Sequence, residues 1–323
     1  MIDQVLTHES VATDATDAPT SYRRAEAAMW AEHGAPGPRE RWVEVAAAGT
    51  RVRVLEHGEG RPVLFVHGGP NAASTWAPIV GRLSGFRALA LDRPGCGLSE
   101  SLPSAGDGSR IWDAMVEVQA AVIEALGGGS VDVVGSSFGG GCALSLAASR
   151  PDLVRRLVIE GVPTVEGMRI APNLRILAAG PIGRSIARRP ASQAVLRRTF
   201  RQLGHRRLVD SGWPSGADLA WGLSMMNDTP TMRNEVALIQ SAATWRGFRT
   251  GRLVPADILG RIAAPTLWLW GDADPFGSPE VGEAWARRMP TATFEVLEAS
   301  GHLPWLDDPA GHAKRIGTFL RER

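Results

Sequence analysis

Val131-Asp132-Val133-Val134-Gly135-Ser136-Ser137-Phe138-Gly139-Gly140-Gly141 starts as an apolar run and ends in glycines. Valines at 131, 133 and 134 make the short hydrophobic stretch of a buried strand. The chain turns through Gly135-Ser136-Ser137-Phe138-Gly139 and continues as Cys142-Ala143-Leu144-Ser145-Leu146-Ala147-Ala148, which reads as a helix of small residues. Strand, tight turn and helix around G-x-S-x-G is the setting of a nucleophile elbow. The central serine of such a turn holds a strained backbone conformation that lifts its hydroxyl clear. Glycine suits positions 135 and 139 because a Cβ there collides with the adjacent strand or helix. Ser136 and Ser137 both carry hydroxyls, and only Ser137 is central. A Gly-rich connection with an incidental serine has the same letters, so the rest of the chain decides.

Outward from this stretch, short apolar runs recur. Arg41–Ala46 and Arg51–His57 alternate across an Ala-Gly-Thr turn, the pattern of a hairpin. Pro62–Val66, Phe86–Leu91, Leu157–Glu160, Pro265–Trp270 and Thr293–Leu297 read as further strands, with a helix over 110–126. Strands alternating with helices predict an α/β fold: a doubly wound, mostly parallel sheet covered on both faces. Ligands in such sheets bind beyond the carboxyl ends of the strands. The loops that follow strands are therefore the informative ones.

The chain has 323 residues, enough for one large α/β domain with an insertion or for two domains. Its net charge is +1, so nothing global points to nucleic acid or an anionic membrane surface. Cys96 and Cys142 sit in no C-x-x-C pair and read as reduced thiols of a cytoplasmic protein. Residues 1–19 read as a flexible leader without the pattern of a signal peptide, and no apolar run approaches the ~18 residues of a membrane span. A helix follows over 20–34, capped by Thr20 or Ser21 and stopped by Gly34 and Pro36, which is expected to lie against the outside of the main domain. The core is expected over 20–161 and 263–323.

Between them, over 162–262, the strand-helix alternation lapses into an all-helical pattern broken by prolines. Such an insertion after the sixth strand reads as a cap over the crevice. Its arginines, at 184, 188, 189, 197, 198, 201, 206 and 207, are either the solvated face of amphipathic helices or a means of steering an anionic substrate. Trp213, Trp221, Met225 and Trp245 either line an apolar pocket or pack the cap onto the core.

An activated serine needs a base, an acid that orients the base, and two donors for the oxyanion. His302 follows the last strand in Ser300-Gly301-His302-Leu303 and is the candidate base. His8, His33, His57, His205 and His312 are placed less favourably, and His67 is expected to bond its own loop. Trp270-Gly271-Asp272-Ala273-Asp274 offers two carboxylates after the seventh strand; Asp274 can reach back over the sheet edge while Asp272 braces the turn. Glu160, at the end of the sixth strand, is the alternative acid. The oxyanion donors are the N–H groups of Phe138 and Gly69. No His/Asp/Glu/Cys cluster has the spacing of a metal site, and no cofactor is implied.

His67-Gly68-Gly69-Pro70, Asp92-Arg93-Pro94-Gly95-Cys96-Gly97-Leu98-Ser99, Gly135-Ser136-Ser137-Phe138-Gly139, Gly271-Asp272-Ala273-Asp274 and Gly301-His302, in this order and each after a strand, resemble the α/β-hydrolase superfamily. The resemblance implies a Ser137-Asp274-His302 triad, hydrolysis without a cofactor, and a lid. Epoxide hydrolases and haloalkane dehalogenases use an aspartate where this chain has Ser137. Proline iminopeptidases continue His-Gly-Gly-Pro with Gly, here Asn71, and follow the serine with Trp, here Phe138. Meta-cleavage C–C hydrolases place Asn before the serine and Trp after the histidine, here Ser136 and Leu303. The expectation is a serine hydrolase cleaving a carboxylic ester, lactone or thioester of a small, largely apolar molecule. A C–C bond hydrolase is the alternative, then an aminopeptidase or a non-catalytic binder. Nothing in the sequence sets the oligomeric state.

Overall fold

The computed structural model describes residues 20–103 and 110–322. The leader expected over 1–19 lies outside them. Helix α1 (Thr20–Glu32) leads into strands β1 (Arg39–Val45), β2 (Thr50–His57) and β3 (Arg61–Val66). A helical stretch from Ala73 ends in α2 (Ala77–Val80), before β4 (Phe86–Leu91). Helix α3 (Ile111–Val122) precedes β5 (Val131–Ser136), and α4 (Phe138–Ser149) precedes β6 (Val154–Glu160).

Six helices follow: α5 (Pro172–Leu177), α6 (Gly180–Ala187), α7 (Gln193–Gln202), α8 (Arg206–Asp210), α9 (Gly216–Asp228) and α10 (Thr231–Ala242). The segment is not wholly helical as expected, because a two-residue ladder joins β7 (Ala243–Thr244) to β8 (Gly247–Phe248). The chain returns through β9 (Thr266–Gly271), α11 (Pro279–Ala286), β10 (Ala292–Leu297) and α12 (Pro309–Arg321).

Eight strands form one sheet in the order β1-β2-β4-β3-β5-β6-β9-β10. Only β2 runs antiparallel to its neighbours. Alternate residues of the central strands enter different cores: Leu64, Val133, Ile159 and Trp268 pack with α3, α4 and α11, while Phe65, Val134, Val158 and Leu269 pack with α1, α2 and α12. That two-sided burial is why these strands read as unbroken apolar runs. The outer strand β1 carries Arg39, Glu40, Arg41 and Glu44, charges that discourage edge-to-edge pairing.

Helix α1 does more than lie outside. Tyr22, Glu26, Met29 and Trp30 are buried, and Glu26 holds the Arg53 guanidinium at 2.7 and 3.0 Å, while Arg53 Nε donates to Asp92 at 2.8 Å. Arg53 is fully buried, and burial disfavours its charge; Asp92 and Glu26 more than offset this and hold its pKa well above the usual value. Asp92 also accepts from the N–H groups of Ala73 and Leu98, tying the loop after β4 to the helical stretch after β3. Ser21 does not cap α1; its hydroxyl donates to Asp228 on α9.

Candidate active site

At the end of β5, Ser137 has φ 53° and ψ −120°, one of two non-glycine residues with positive φ among the described residues. The glycines around it leave no room for a side chain. A Cβ on Gly135 falls 2.6 Å from the Gly139 carbonyl oxygen, and one on Gly139 falls 2.1 Å from that of Val66. A Cβ on Gly68 meets the Ser137 Cβ at 2.7 Å, so the loop after β3 reaches the serine only as bare backbone. The Ser137 carbonyl accepts from Gly141 and Thr164 N–H, anchoring the turn from both sides.

The His302 Nδ1 lies 2.7 Å from Asp274 Oδ2, and both side chains are almost completely buried. The same Asp274 oxygen accepts from Val162 N–H at 3.0 Å, and its other oxygen accepts from Phe276 N–H at 2.9 Å. Two backbone donors therefore fix the carboxylate, and the carboxylate fixes the ring. The Phe276 ring lies 4.4 Å from that of His302. Asp272 accepts from Ser300 N–H and braces the neighbouring loop. Ser137 Oγ and His302 Nε2 make no hydrogen bond among the described residues, and both residues line one cavity.

The loop after β3 is held by the loop after β4. Arg93 donates to the carbonyls of His67 (2.8 Å) and Gly68 (3.0 Å), and its guanidinium lies 4.7 Å above the Phe138 ring. The His67 Nε2 accepts from Arg93 N–H at 3.1 Å, so Nδ1 carries the proton donated to Gly68 O at 2.6 Å. Burial, and then the adjacent Arg93 charge, push the His67 pKa well below its usual value, so the ring is neutral. The Gly69–Pro70 peptide is cis. The amides of Gly69 and Phe138 have no partner among the described residues, and both residues line the cavity beside Ser137.

Four contributors carry no sequence motif. Glu235 on α10 is buried, ion-pairs with Arg93, and accepts from the Cys96 thiol at 3.1 Å. Its carboxylate covers Gly69, where an added Cβ falls 1.8 Å from Oε2. His205, before α8, accepts from Leu303 N–H at 3.2 Å and bonds Asp307 at 2.8 Å, while Leu203 O accepts from His302 N–H at 2.8 Å. The backbone of His302 is thus clasped by the segment between α7 and α8. Met29 of α1 reaches the cavity wall.

The cavity has a volume of about 640 Å³ and mostly apolar walls. Trp213, Trp221 and Met225 line it, with Trp213 edge-on to Phe200 and bonded to Asp218. Trp245 does not: it occupies the two-residue turn between β7 and β8, 61% exposed, with the Arg246 guanidinium 5.2 Å from its ring. Glu160 is likewise not beside His302. Its carboxylate is 3.0 Å from His312 Nδ1 of α12, a fully buried pair within the core. Among the described residues no group of three or more His, Cys, Asp or Glu is placed to hold a metal. Cys96 and Cys142 are unpaired and buried; burial pushes the Cys142 thiol up to about 12.

The family model described as alpha/beta hydrolase fold matches residues 61–309. The chain belongs to the α/β-hydrolase family. A 2-hydroxymuconate semialdehyde hydrolase of Pseudomonas putida is 40% identical over 125 residues, which is 36% of this chain and 42% of that relative. The chain therefore matches less than half the length of that curated relative. Among solved structures, a thermophilic esterase from Thermogutta terrifontis superposes with a TM-score of 0.62 at 24% identity, covering 88% of this chain and 98% of the other. A meta-cleavage product hydrolase from Pseudomonas fluorescens IP01 superposes with a TM-score of 0.69 at 18% identity, covering 87% and 97%. Both share the α/β-hydrolase fold with this chain. Among the described residues no helix is long and apolar enough to cross a membrane.

Proposed function

We propose that this α/β-hydrolase cleaves a carboxylic ester, or a lactone or thioester, of a small and largely apolar acyl compound through an acyl-enzyme. The observation that carries the reading is the strained Ser137 turn on the wall of the cavity that His302, paired with Asp274, also lines. In this reading His302 Nε2 takes the Ser137 proton as Oγ attacks the carbonyl carbon. Asp274 holds the ring tautomer and stabilises the imidazolium. The free amides of Phe138 and Gly69 receive the oxyanion, each worth ~3–4 kcal/mol to the transition state. His302 then protonates the leaving alcohol and afterwards deprotonates water, which releases the acid. The Ser137–His302 hydrogen bond forms with substrate, as such bonds tighten in the Michaelis complex.

The helices of 162–262 act as a cap in this reading, since α5–α7, α9 and α10 wall the cavity. The two unpaired thiols support a reducing, cytoplasmic setting.

One observation favours the second reading, a C–C bond hydrolase of the meta-cleavage type. Arg252 lines the cavity, its Nη1 is buried without a partner, and its guanidinium makes no ion pair among the described residues. A half-buried guanidinium with one buried, unpartnered nitrogen on the cavity wall suits the carboxylate of an acidic substrate. The partial identity to the Pseudomonas putida hydrolase points the same way.

Ser137→Ala is expected to abolish turnover of p-nitrophenyl acyl esters with an unchanged circular dichroism spectrum, and retained turnover removes the assignment. Asp274→Asn should lower kcat by about 10⁴, whereas Glu160→Gln should leave kcat within a few-fold. Comparing graded acyl esters with a dienone acid separates the two readings, and preference for the acid that is lost in Arg252→Gln selects the second.

A further inference from the structure

The sequence from Gly167 to Val209 holds ten arginines and no aspartate or glutamate, although the whole chain carries only +1. The near-neutral total therefore conceals a strongly basic segment on an otherwise net-acidic chain. Some of these arginines are used internally: Arg201 pairs with Asp210, Arg184 with Gln240, and Arg197 with the carbonyls of Gly212 and Pro214. Arg188, Arg189, Arg198, Arg206 and Arg207 are exposed and make no ion pair or side-chain hydrogen bond among the described residues.

The same helices carry the apolar exposure. Ile176 on α5 is 51% exposed, Ile182 and Ile186 on α6 are 59% and 37%, Val195 before α7's second turn is 49%, and Trp245 is 61%. Elsewhere among the described residues only Val296 is a comparably exposed large hydrophobe. Arg175 on α5 donates to the carbonyls of Trp245 and Arg246 and so binds that turn to the helix. The exposed face also reaches the cavity, because Ile176, Ile186 and Val195 line it together with Arg189 and Arg198.

We infer that this face of α5–α7 and the β7–β8 turn docks on an anionic lipid bilayer. A lipid surface is the partner that uses both features: phosphates meet the arginines, and isoleucine and tryptophan side chains enter the headgroup–acyl boundary. A second copy of this chain, face to face, brings the unpaired arginines of one face against those of the other. Nucleic acid takes the charges and leaves the isoleucines in water. Docked on lipid, the cavity faces the bilayer, and an apolar molecule passes from it to Ser137 along apolar walls. That route rests on the proposed hydrolase reading; the docking does not.

Sedimentation with sucrose-loaded vesicles tests it, using Ser137→Ala protein so that turnover plays no part. Vesicles of phosphatidylcholine with about one-third phosphatidylserine should bind at least about tenfold more tightly than pure phosphatidylcholine, because each basic side chain at an anionic surface strengthens binding about fivefold. Raising salt should release the protein. Ile182→Ser with Trp245→Ser, and separately Arg184→Glu with Arg188→Glu, should each weaken vesicle binding about tenfold. In the otherwise unmodified enzyme these pairs should leave hydrolysis of a soluble short-chain ester unchanged. The inference is overturned by equal binding to both vesicle types or by none, and by charge-reversed protein that binds as before. It is overturned equally by tighter binding to single-stranded RNA than to vesicles, or by a dimer in light scattering that the same variants make monomeric.

Discussion

Ser137 and His67 show how single residues here trade stability for position. At φ 53° the serine holds a conformation that costs ~1–3 kcal/mol, maintained because β5 and α4 fix both of its neighbours. His67 contributes differently. Its neutral ring accepts from Arg93 N–H and donates to Gly68 O, so a proton on Nε2 breaks a buried bond beside the arginine. Its pKa in the fold lies well below the value of about 6.5 expected in the unfolded chain. Below that pH the unfolded chain takes up a proton that the native ring refuses, so stability rises with pH across the window. It is lost as pH falls from about 6.5 towards the native pKa, by at most about 1.4 kcal/mol for each pH unit. His67→Gln keeps a donor and an acceptor but does not titrate. Urea unfolding at steps from pH 7.5 to about pH 5 should show a shallower loss in this variant than in the parent; equal slopes would mean that other groups carry the acid sensitivity.

Among the elements, the loop carrying His302 depends on a segment far from it in sequence. Leu203 O and His205 Nε2 take the N–H groups of His302 and Leu303, and Asp307 bonds both His205 and Gly301 N–H. In the proposed mechanism His205 is thus a positioning residue. His205→Ala should lower kcat about tenfold, as sub-ångström misplacement of a base does, with KM within about twofold, while His205→Gln restores part of kcat. A change confined to KM argues against positioning. The strands, their order along the chain and the loops bearing Ser137, Asp274 and His302 were legible because parallel strands buried on both faces write themselves as apolar runs. The active groups of such sheets follow those runs directly. What the letters hid was tertiary. Glu160, at a strand end, stands as an alternative to Asp274 until His312, 152 residues on, is found against it. Trp245 has the composition of a pocket residue, and only its tight turn shows that it faces solvent. Glu26 in α1 looks like a surface residue of a good helix former until Arg53 meets it.

Across the whole molecule, the helices after β6 are joined to the sheet through a buried charge pair that also shapes the loop after β3, the proposed oxyanion loop. Arg93 spends its guanidinium on His67 O, Gly68 O and Glu235, so one side chain couples α10 to the amide of Gly69. Removing Glu235 alone leaves a buried cation without its counter-charge. Glu235→Ala should therefore cost about 3–5 kcal/mol, read as a lower urea midpoint, together with a fall in kcat/KM. Removing both charges is a different matter, because a buried pair replaced by apolar groups of similar volume is often near neutral in stability. Arg93→Met with Glu235→Leu should recover most of the lost midpoint. It should not recover kcat, since the carbonyls of His67 and Gly68 then lack the donors that hold the loop beside Ser137. Unfolding and steady-state kinetics on the four proteins of this cycle separate the two roles. If the stability losses simply add, the pair does not join the helices to the sheet; if kcat returns with stability, the loop is held by His67 and the backbone without Arg93.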